Sequence, residues 1–346
     1  MPPLKQKFSE AARGIKASLG ARLLGAPAGG DAQRLRQLEQ QLARQNQEIE
    51  RLRAASDGRG SETGNVRPEQ VVWIFGSGRS GSTWLSSMMG DMSGQTLWGE
   101  PWVGYLFGHF YYSQGGTRHQ SPQFIMGSHR DVWVRSIRNL VRDAAAATFP
   151  DLKGDEHLVI KEPNGSVGAP LMMEALPESR MVLLVRDPRD VVASFADARR
   201  KGGWHYERNK GRSQKEWWML SPDDEPARFA EERATAILQQ AGNAKMAYDA
   251  HEGPKVLIHY EGLRADTLGI MKRLYATLGV PVDEGELAGV VHKHSWENIP
   301  EEKRGEGKFY RKATPGGWRA DLTEEQARIV EDITAPLLQA FYADGR

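Results

Sequence analysis

The segment Gly76-Ser77-Gly78-Arg79-Ser80-Gly81-Ser82-Thr83-Trp84 follows directly on the apolar run Val71 to Phe75 and opens a helix-periodic stretch at Ser82. A strand, a glycine-rich turn and a helix start in that order let backbone N–H groups converge on an oxyanion, and the helix N-terminus adds about half a positive charge. The chemistry these residues suit is phosphate binding, with Arg79 as the cation inside the loop. A second cation, Arg186, follows directly on the apolar run Met181 to Val185.

Anion binding of this kind has to be local. Lys and Arg total 46 against 45 Asp and Glu, a formal net charge of +1, so no global field recruits nucleic acid. The chain has no cysteine, which excludes disulfides, thiolate nucleophiles and cysteine-held metals and agrees with a reducing cytoplasm. Its nine histidines show no ligand spacing, so no metal site is expected. No run approaches about eighteen apolar residues, and a soluble, cytoplasmic protein is expected.

The spacing Gly76, Gly81, Ser82, Thr83 departs from the nucleotide-triphosphatase pattern GxxxxGK[ST] because Ser82 stands where the lysine belongs. With its cation moved to Arg79, the loop resembles instead the 5′-phosphosulfate loop of sulfotransferases that use 3′-phosphoadenosine 5′-phosphosulfate (PAPS), where Lys or Arg precedes Ser-Gly-[ST]-[ST]-[WLF]. Three further segments resemble that family in the same order. Arg186-Asp187-Pro188-Arg189-Asp190-Val191-Val192-Ala193-Ser194 looks like its 3′-phosphate motif. His294-Ser295-Trp296 stands where an aromatic residue flanks adenine. Arg311-Lys312-Ala313-Thr314-Pro315-Gly316-Gly317-Trp318-Arg319 is similar to RKGxxGDWK, with Ala313 for its first Gly and Gly317 for its Asp. Tyr260-Glu261-Gly262-Leu263 looks like the YEDL that ends a sheet strand there. The resemblance runs from Val71 to Trp318. It implies that Arg79, Ser80, Gly81, Ser82, Thr83, Trp84, Arg186, Ser194, Trp296, Arg311 and Lys312 hold PAPS as co-substrate.

Sulfuryl transfer needs positioned cations and a stabilised leaving group but no Mg²⁺. The resemblance makes Arg79 the electrophilic catalyst, with Lys161 a candidate contact for the sulfuryl oxygens. The acceptor must lose a proton, so a base is required. The cytosolic family members carry Lys-Thr-His after the second strand of the run, whereas this chain has Lys161-Glu162-Pro163. Trp98-Gly99-Glu100-Pro101-Trp102 resembles the [FYG]EP segment of carbohydrate-type sulfotransferases and the GE of tyrosylprotein sulfotransferases, which implies Glu100 as base with Glu162 in reserve. Aromatics cluster after Glu100 (Trp102, Tyr105, Phe107, His109, Phe110, Tyr111, Tyr112) and in an insertion bearing His205, Tyr206, Trp217 and Trp218. They suit a small-molecule, carbohydrate or lipid acceptor.

The elements that must position these groups alternate in type. Val71–Phe75, Leu158–Ile160, Met181–Val185 and Val256–Ile258 read as buried parallel strands. Helices are expected from Ser82 to about Met92, then at 132–147, 191–200, 227–250, 267–278 and 324–342. The expected fold class is α/β, a P-loop-like open parallel sheet flanked by helices, preceded by an N-terminal coiled-coil helix. Residues 1–30 form a basic tail able to make peripheral membrane contact. Residues 31–55 put Leu35, Leu38, Leu42, Ile49 and Leu52 on a and d heptad positions, which predicts a homodimer. Residues 56–68 are a polar linker, and the sulfotransferase-like domain spans 69–346. Two other readings stay open at this point: an ATP-dependent nucleotide or sugar kinase, and a coiled-coil scaffold with a degenerate nucleotide site.

Overall fold

Val, Ile, Leu and Met fill both sides of four short runs in the chain, and these can only be satisfied by burial on both faces of a sheet. The computed structural model describes residues 66–114, 127, 129–210 and 220–343; the basic tail, the coiled-coil segment, linker residues 56–65, Trp217 and Trp218 lie outside the described residues. Val66 is already buried, and a 3-10 turn at Pro68–Gln70 leads into β1 (Val71–Gly76). The glycine-rich loop then enters α1 (Ser82–Gly90), followed by β2 (Gln95–Gly99) and α2 (Val103–Gln114). After α3 (Arg130–Thr148) come β3 (His157–Lys161), a 3-10 turn at Asn164–Gly168 and α4 (Ala169–Ala175). β4 (Arg180–Val185) leads to α5 (Pro188–Arg199) and α6 (Trp204–Asn209), and the long α7 (Pro226–Ala250) precedes β5 (Lys255–His259). After β5 come α8 (Tyr260–Ala265), α9 (Thr267–Leu278) and α10 (Glu284–Lys293), then a largely irregular stretch at 294–317 with 3-10 turns at Trp296–Asn298 and Glu301–Lys303, and last α11 (Trp318–Asp321) and α12 (Glu324–Tyr342).

The five strands form one all-parallel sheet in the order β2-β3-β1-β4-β5. Trp73, Phe75, Ile160 and Leu183 face one layer of helices, with Ile137 of α3, Met172 of α4 and Ala244 of α7. Val72, Ile74, Val159 and Leu184 face the other, with Leu85 of α1 and Met271 and Leu274 of α9. The fold is thus the expected α/β sheet flanked by helices, with one strand more than the four apolar runs predict. The extra strand, β2, is an edge whose residues Gln95 to Trp98 are only half-buried, so it carries no apolar run. None of the described helices is long and apolar enough to cross a membrane.

The register brings the chemistry to one edge. Ile74 pairs with Lys161, Lys161 with Gly99, and Gly76 with Leu184, so the carboxyl ends of β1, β2, β3 and β4 finish together. β1 is the central strand, with its successors placed on either side, and the crevice beyond its carboxyl end is where such sheets take ligands. Gly76 is required there: a Cβ would lie 2.3 Å from the Leu184 carbonyl oxygen.

Candidate active site

The loop after β1 turns through Gly81, whose φ of 97° makes the left-handed N-cap of α1. A Cβ at Gly81 would stand 2.6 Å from the ring of Tyr260, so only glycine lets that ring close against the loop. Among the described residues no side chain caps α1, which leaves its first-turn amides to an exogenous acceptor. Ser80 Oγ and Arg186 Nε are both buried with no hydrogen-bond partner among the described residues. Orphaned donors beside uncapped amides fit a ligand bearing phosphate oxygens.

Around this cradle the guanidinium groups converge. Arg79 Nε donates to Ser194 Oγ at 3.1 Å and its terminal nitrogen to the Phe309 carbonyl at 2.8 Å. Arg186 donates to the Arg79 carbonyl at 3.1 Å and lies 4.3 Å above the centre of the Tyr260 ring. Burial, then the neighbouring charges of Arg186 and Arg311, push Arg79 down to about 10, so it stays cationic at neutral pH in a site short of anions. Arg79, Arg186, Ser194, Trp296, Arg311 and Lys312 all line one cleft. Arg189, in the same motif as Arg186, turns away and pairs with Asp187 at 2.6 Å and Glu331 at 2.7 Å.

The segment carrying Arg311 and Lys312 is laid over the cleft by two aspartates that the motif reading passed over. Asp190, fully buried, accepts from the backbone of Gly316 at 2.7 Å and Trp318 at 2.9 Å. Asp321 accepts from Arg311 at 2.6 Å and Lys312 at 2.7 Å. The cleft is completed by Trp84, Tyr260, Arg264 and Phe309. Tyr260 had a signal, its place at the carboxyl end of β5; Arg264 and Phe309 had none in the spacing.

On the far side of the loop sits a separate polar cluster. Lys161 Nζ donates to Glu100 Oε1 at 2.5 Å and to Thr83 Oγ1 at 3.4 Å, and Asn164 Nδ2 donates to Glu100 Oε2 at 3.0 Å. Both oxygens of Glu100 are thereby fixed, one strand end away from the loop. Glu162 points elsewhere. Only 1% exposed, it accepts from the Val103 amide at 2.9 Å at the start of α2, and burial pushes it up to about 7 despite that bond. A Cβ on Gly165 would stand 2.1 Å from its other oxygen, so the cavity around it is closed.

Four non-glycine residues among those described have positive φ: Arg79 at 64°, Glu100 at 52°, Trp102 at 64° and Ala313 at 52°. Each costs about 1–2 kcal/mol, and all four lie in or beside these two clusters. Beyond Asn164 opens a groove of about 780 Å³ between the aromatic edge of Trp102, Tyr105 and His109 and the polar face of α7. Tyr105 stacks on His109 with centroids 4.6 Å apart and meets Trp102 edge-on at 5.5 Å. Of the other expected aromatics, Phe107, Tyr111 and Tyr112 pack against the core instead.

The sequence profile described as the sulfotransferase family matches residues 70–284. No curated protein matches the chain. Among solved structures, mouse sulfotransferase SULT7A1 complexed with PAP is 16% identical with a TM-score of 0.47, covering 80% of this chain and 86% of that one. Sulfotransferase STF9 from Mycobacterium avium is 13% identical with a TM-score of 0.49, covering 84% and 81%. The sulfotransferase domain of the Synechococcus PCC 7002 olefin synthase is 16% identical with a TM-score of 0.45, covering 79% and 98%.

Proposed function

The chain belongs to the sulfotransferase family and is a PAPS-dependent sulfotransferase, and from that premise we propose that Glu100 is the base that takes the acceptor's proton. PAPS supplies the sulfuryl group: the acceptor oxygen bonds to sulfur as the S–O bond to the 5′-phosphate breaks, leaving adenosine 3′,5′-bisphosphate. The amides of residues 81–84, Arg79 and Ser80 hold the 5′ side and meet the charge that builds on the departing phosphate. Arg186, Ser194, Arg311 and Lys312 hold the 3′-phosphate, with Trp84 and Trp296 beside the adenine.

The observation that supports Glu100 is the double hydrogen bond to its carboxylate from Lys161 and Asn164. Asn164 also lines the aromatic groove, so the fixed carboxylate stands where the acceptor space meets the phosphate loop. Lys161 serves both sides, orienting Glu100 and placing its charge beside Thr83. Glu162, turned into the start of α2, serves as a buried acceptor for that helix.

A small-molecule acceptor fits this groove, and a carbohydrate is our reading of it, supported by aromatic edges facing amides and charges. Dimerisation through residues 31–55, membrane contact by residues 1–30 and a cytoplasmic setting rest on the heptad pattern, the basic tail and the absence of cysteine in the sequence. The loop's want of a lysine at Ser82 speaks against the kinase reading. Calorimetric titration with adenosine 3′,5′-bisphosphate, in parallel with ATP plus Mg²⁺, tests the donor assignment. Micromolar binding of the bisphosphate without metal supports it, and preference for ATP with Mg²⁺ overturns it.

A further inference from the structure

The hydrogen bonds of the Arg79 guanidinium go to a hydroxyl and a carbonyl, with no carboxylate of a described residue among them. Two rings hold it instead. Its central carbon lies 4.8 Å from the centre of the Phe309 ring and 5.6 Å from that of Trp204, both within the roughly 6 Å at which a ring face attracts a cation. The rings meet edge to face with centres 5.2 Å apart. Asp197 is the carboxylate that acts on Arg79, raising it against burial, and one of its oxygens is taken by the Gly307 amide at 3.0 Å. Arg79 and Phe309 line the donor cleft, and Trp204 stands behind them.

The chain builds this box from two distant segments and ties them together. A Cβ at Gly203 would stand 2.5 Å from the carbonyl oxygens of Asp197 and Ala198, so glycine lets Trp204 begin α6 hard against the end of α5. The Trp204 amide donates to the Gly307 carbonyl at 2.8 Å, which draws the segment bearing Phe309 onto α6, and Arg200 pairs with Glu306 at 2.8 Å alongside. A carboxylate in place of Trp204 would cancel the charge that the 5′ side of the donor needs and would repel its oxygens. A ring attracts the cation through its quadrupole and carries no net charge, so it fixes the guanidinium and leaves the charge unspent. His205, edge-on to Trp204 at 5.4 Å, is pushed down to about 4, by burial first and then by the neighbouring arginines, and so adds no second cation at neutral pH.

We infer that Trp204 is a positioning residue for sulfuryl transfer, the rear wall of an aromatic box that, with Phe309, holds the Arg79 guanidinium at the donor cleft. The inference rests on the reading of Arg79 as the cation that meets the charge on the departing phosphate. Trp204 acts through Arg79 alone, so its loss should slow transfer only while Arg79 is present and should leave the binding of adenosine 3′,5′-bisphosphate as it is.

The test uses the full-length protein, Trp204→Leu, Trp204→Phe, Arg79→Ala and the double variant Arg79→Ala/Trp204→Leu, with two readouts. The first is the Nε–H resonance of Arg79 in nitrogen-15 spectra, assigned by its loss in Arg79→Ala. Ring currents should shift it upfield in the parent protein, Trp204→Leu should remove most of that shift, and Trp204→Phe should keep part of it. The second is release of adenosine 3′,5′-bisphosphate from PAPS, with water and with p-nitrophenyl β-glucoside as acceptors. Trp204→Leu should slow release about tenfold with bisphosphate affinity unchanged, Trp204→Phe should recover much of the rate, and Trp204→Leu should cost nothing further once Arg79 is alanine. An Arg79 resonance indifferent to Trp204→Leu, a parental rate in Trp204→Leu, a Trp204→Phe as slow as Trp204→Leu, or the same slowing with and without Arg79 overturns the inference. Failure of the reading beneath it looks different: Arg79→Ala would release bisphosphate as fast as the parent protein, or the parent would release none, while the resonance still reported the box.

Discussion

Arg79 Nε donates to Ser194 Oγ at 3.1 Å, joining two residues 115 positions apart that the proposal assigns to opposite ends of the donor. The loop cation therefore rests against the hydroxyl assigned to the 3′-phosphate, and Arg186 holds its backbone from behind. Arg79→Ala should lower kcat about 10²- to 10³-fold, the loss usual for one stabiliser of developing charge. Ser194→Ala should weaken bisphosphate binding about tenfold, the size of one lost hydrogen bond to a charged group. In a double-mutant cycle on kcat/KM the two should couple by about 1 kcal/mol or more. Additive effects would show that the contact has no part in catalysis.

Glu100 is held at both oxygens, so its partner can be removed without removing the carboxylate. Glu100→Gln should lower kcat about 10²- to 10⁴-fold with bisphosphate binding kept. Asn164→Ala, which frees only Oε2, should cost about tenfold in kcat and leave the KM for PAPS alone. Steady-state kinetics with varied PAPS separates these outcomes, and intact turnover in Glu100→Gln would move the base to another group or to water.

Asp321 is the sole side chain among those described that pairs with both Arg311 and Lys312. Arg311 and Asp321 are 7% and 13% exposed at their side chains, so solvent screens the pair little. Asp321→Ala should destabilise the protein by about 3 kcal/mol, because it strands a buried guanidinium. The bisphosphate should recover more of the melting temperature in this variant than in the parent protein, since its phosphate replaces the lost anion. A variant as stable as the parent without ligand would show that the segment over the cleft is held by Asp190 alone.

The central elements were legible because their physics is local. The strands at β1, β3 and β4 are buried on both faces and so are apolar along most of their length, the edge strand β5 still carries the apolar run Val256–Ile258, and α9 and α12 match their expected ranges of 267–278 and 324–342. β2 and α2 were not legible: β2 is an edge strand with mixed residues, and α2 owes its start to Glu162, a carboxylate supplied from the end of another strand. The site divides in the same way. Arg79, Arg186 and Ser194 stand in short motifs with fixed spacing, whereas Asn164, Asp321 and Phe309 reach the site by topology alone. The positive φ angles at Glu100 and Trp102 belong with the second group, since the sequence offers neither glycine nor asparagine to announce them.

Glu162 supplies the last prediction, one of stability against pH. Its carboxyl is raised from 4.5 to about 7, first by burial, while the Val103 amide and the charge of Glu100 pull in opposite directions. A folded-state value above the unfolded one means that the folded protein holds this proton more tightly. The resulting stability is fully present below about 4.5 and is lost as pH rises through about 7, a total of about 3 kcal/mol by linkage. Glu162→Gln keeps an oxygen for the Val103 amide and removes the ionisation. Urea unfolding at pH 5 and pH 8 should therefore show the parent losing stability relative to Glu162→Gln across that interval, with the variant the more stable of the two at pH 8. Parallel pH profiles for the two proteins would mean that Glu162 stays ionised in the fold, and that the helix start, not burial, sets its charge.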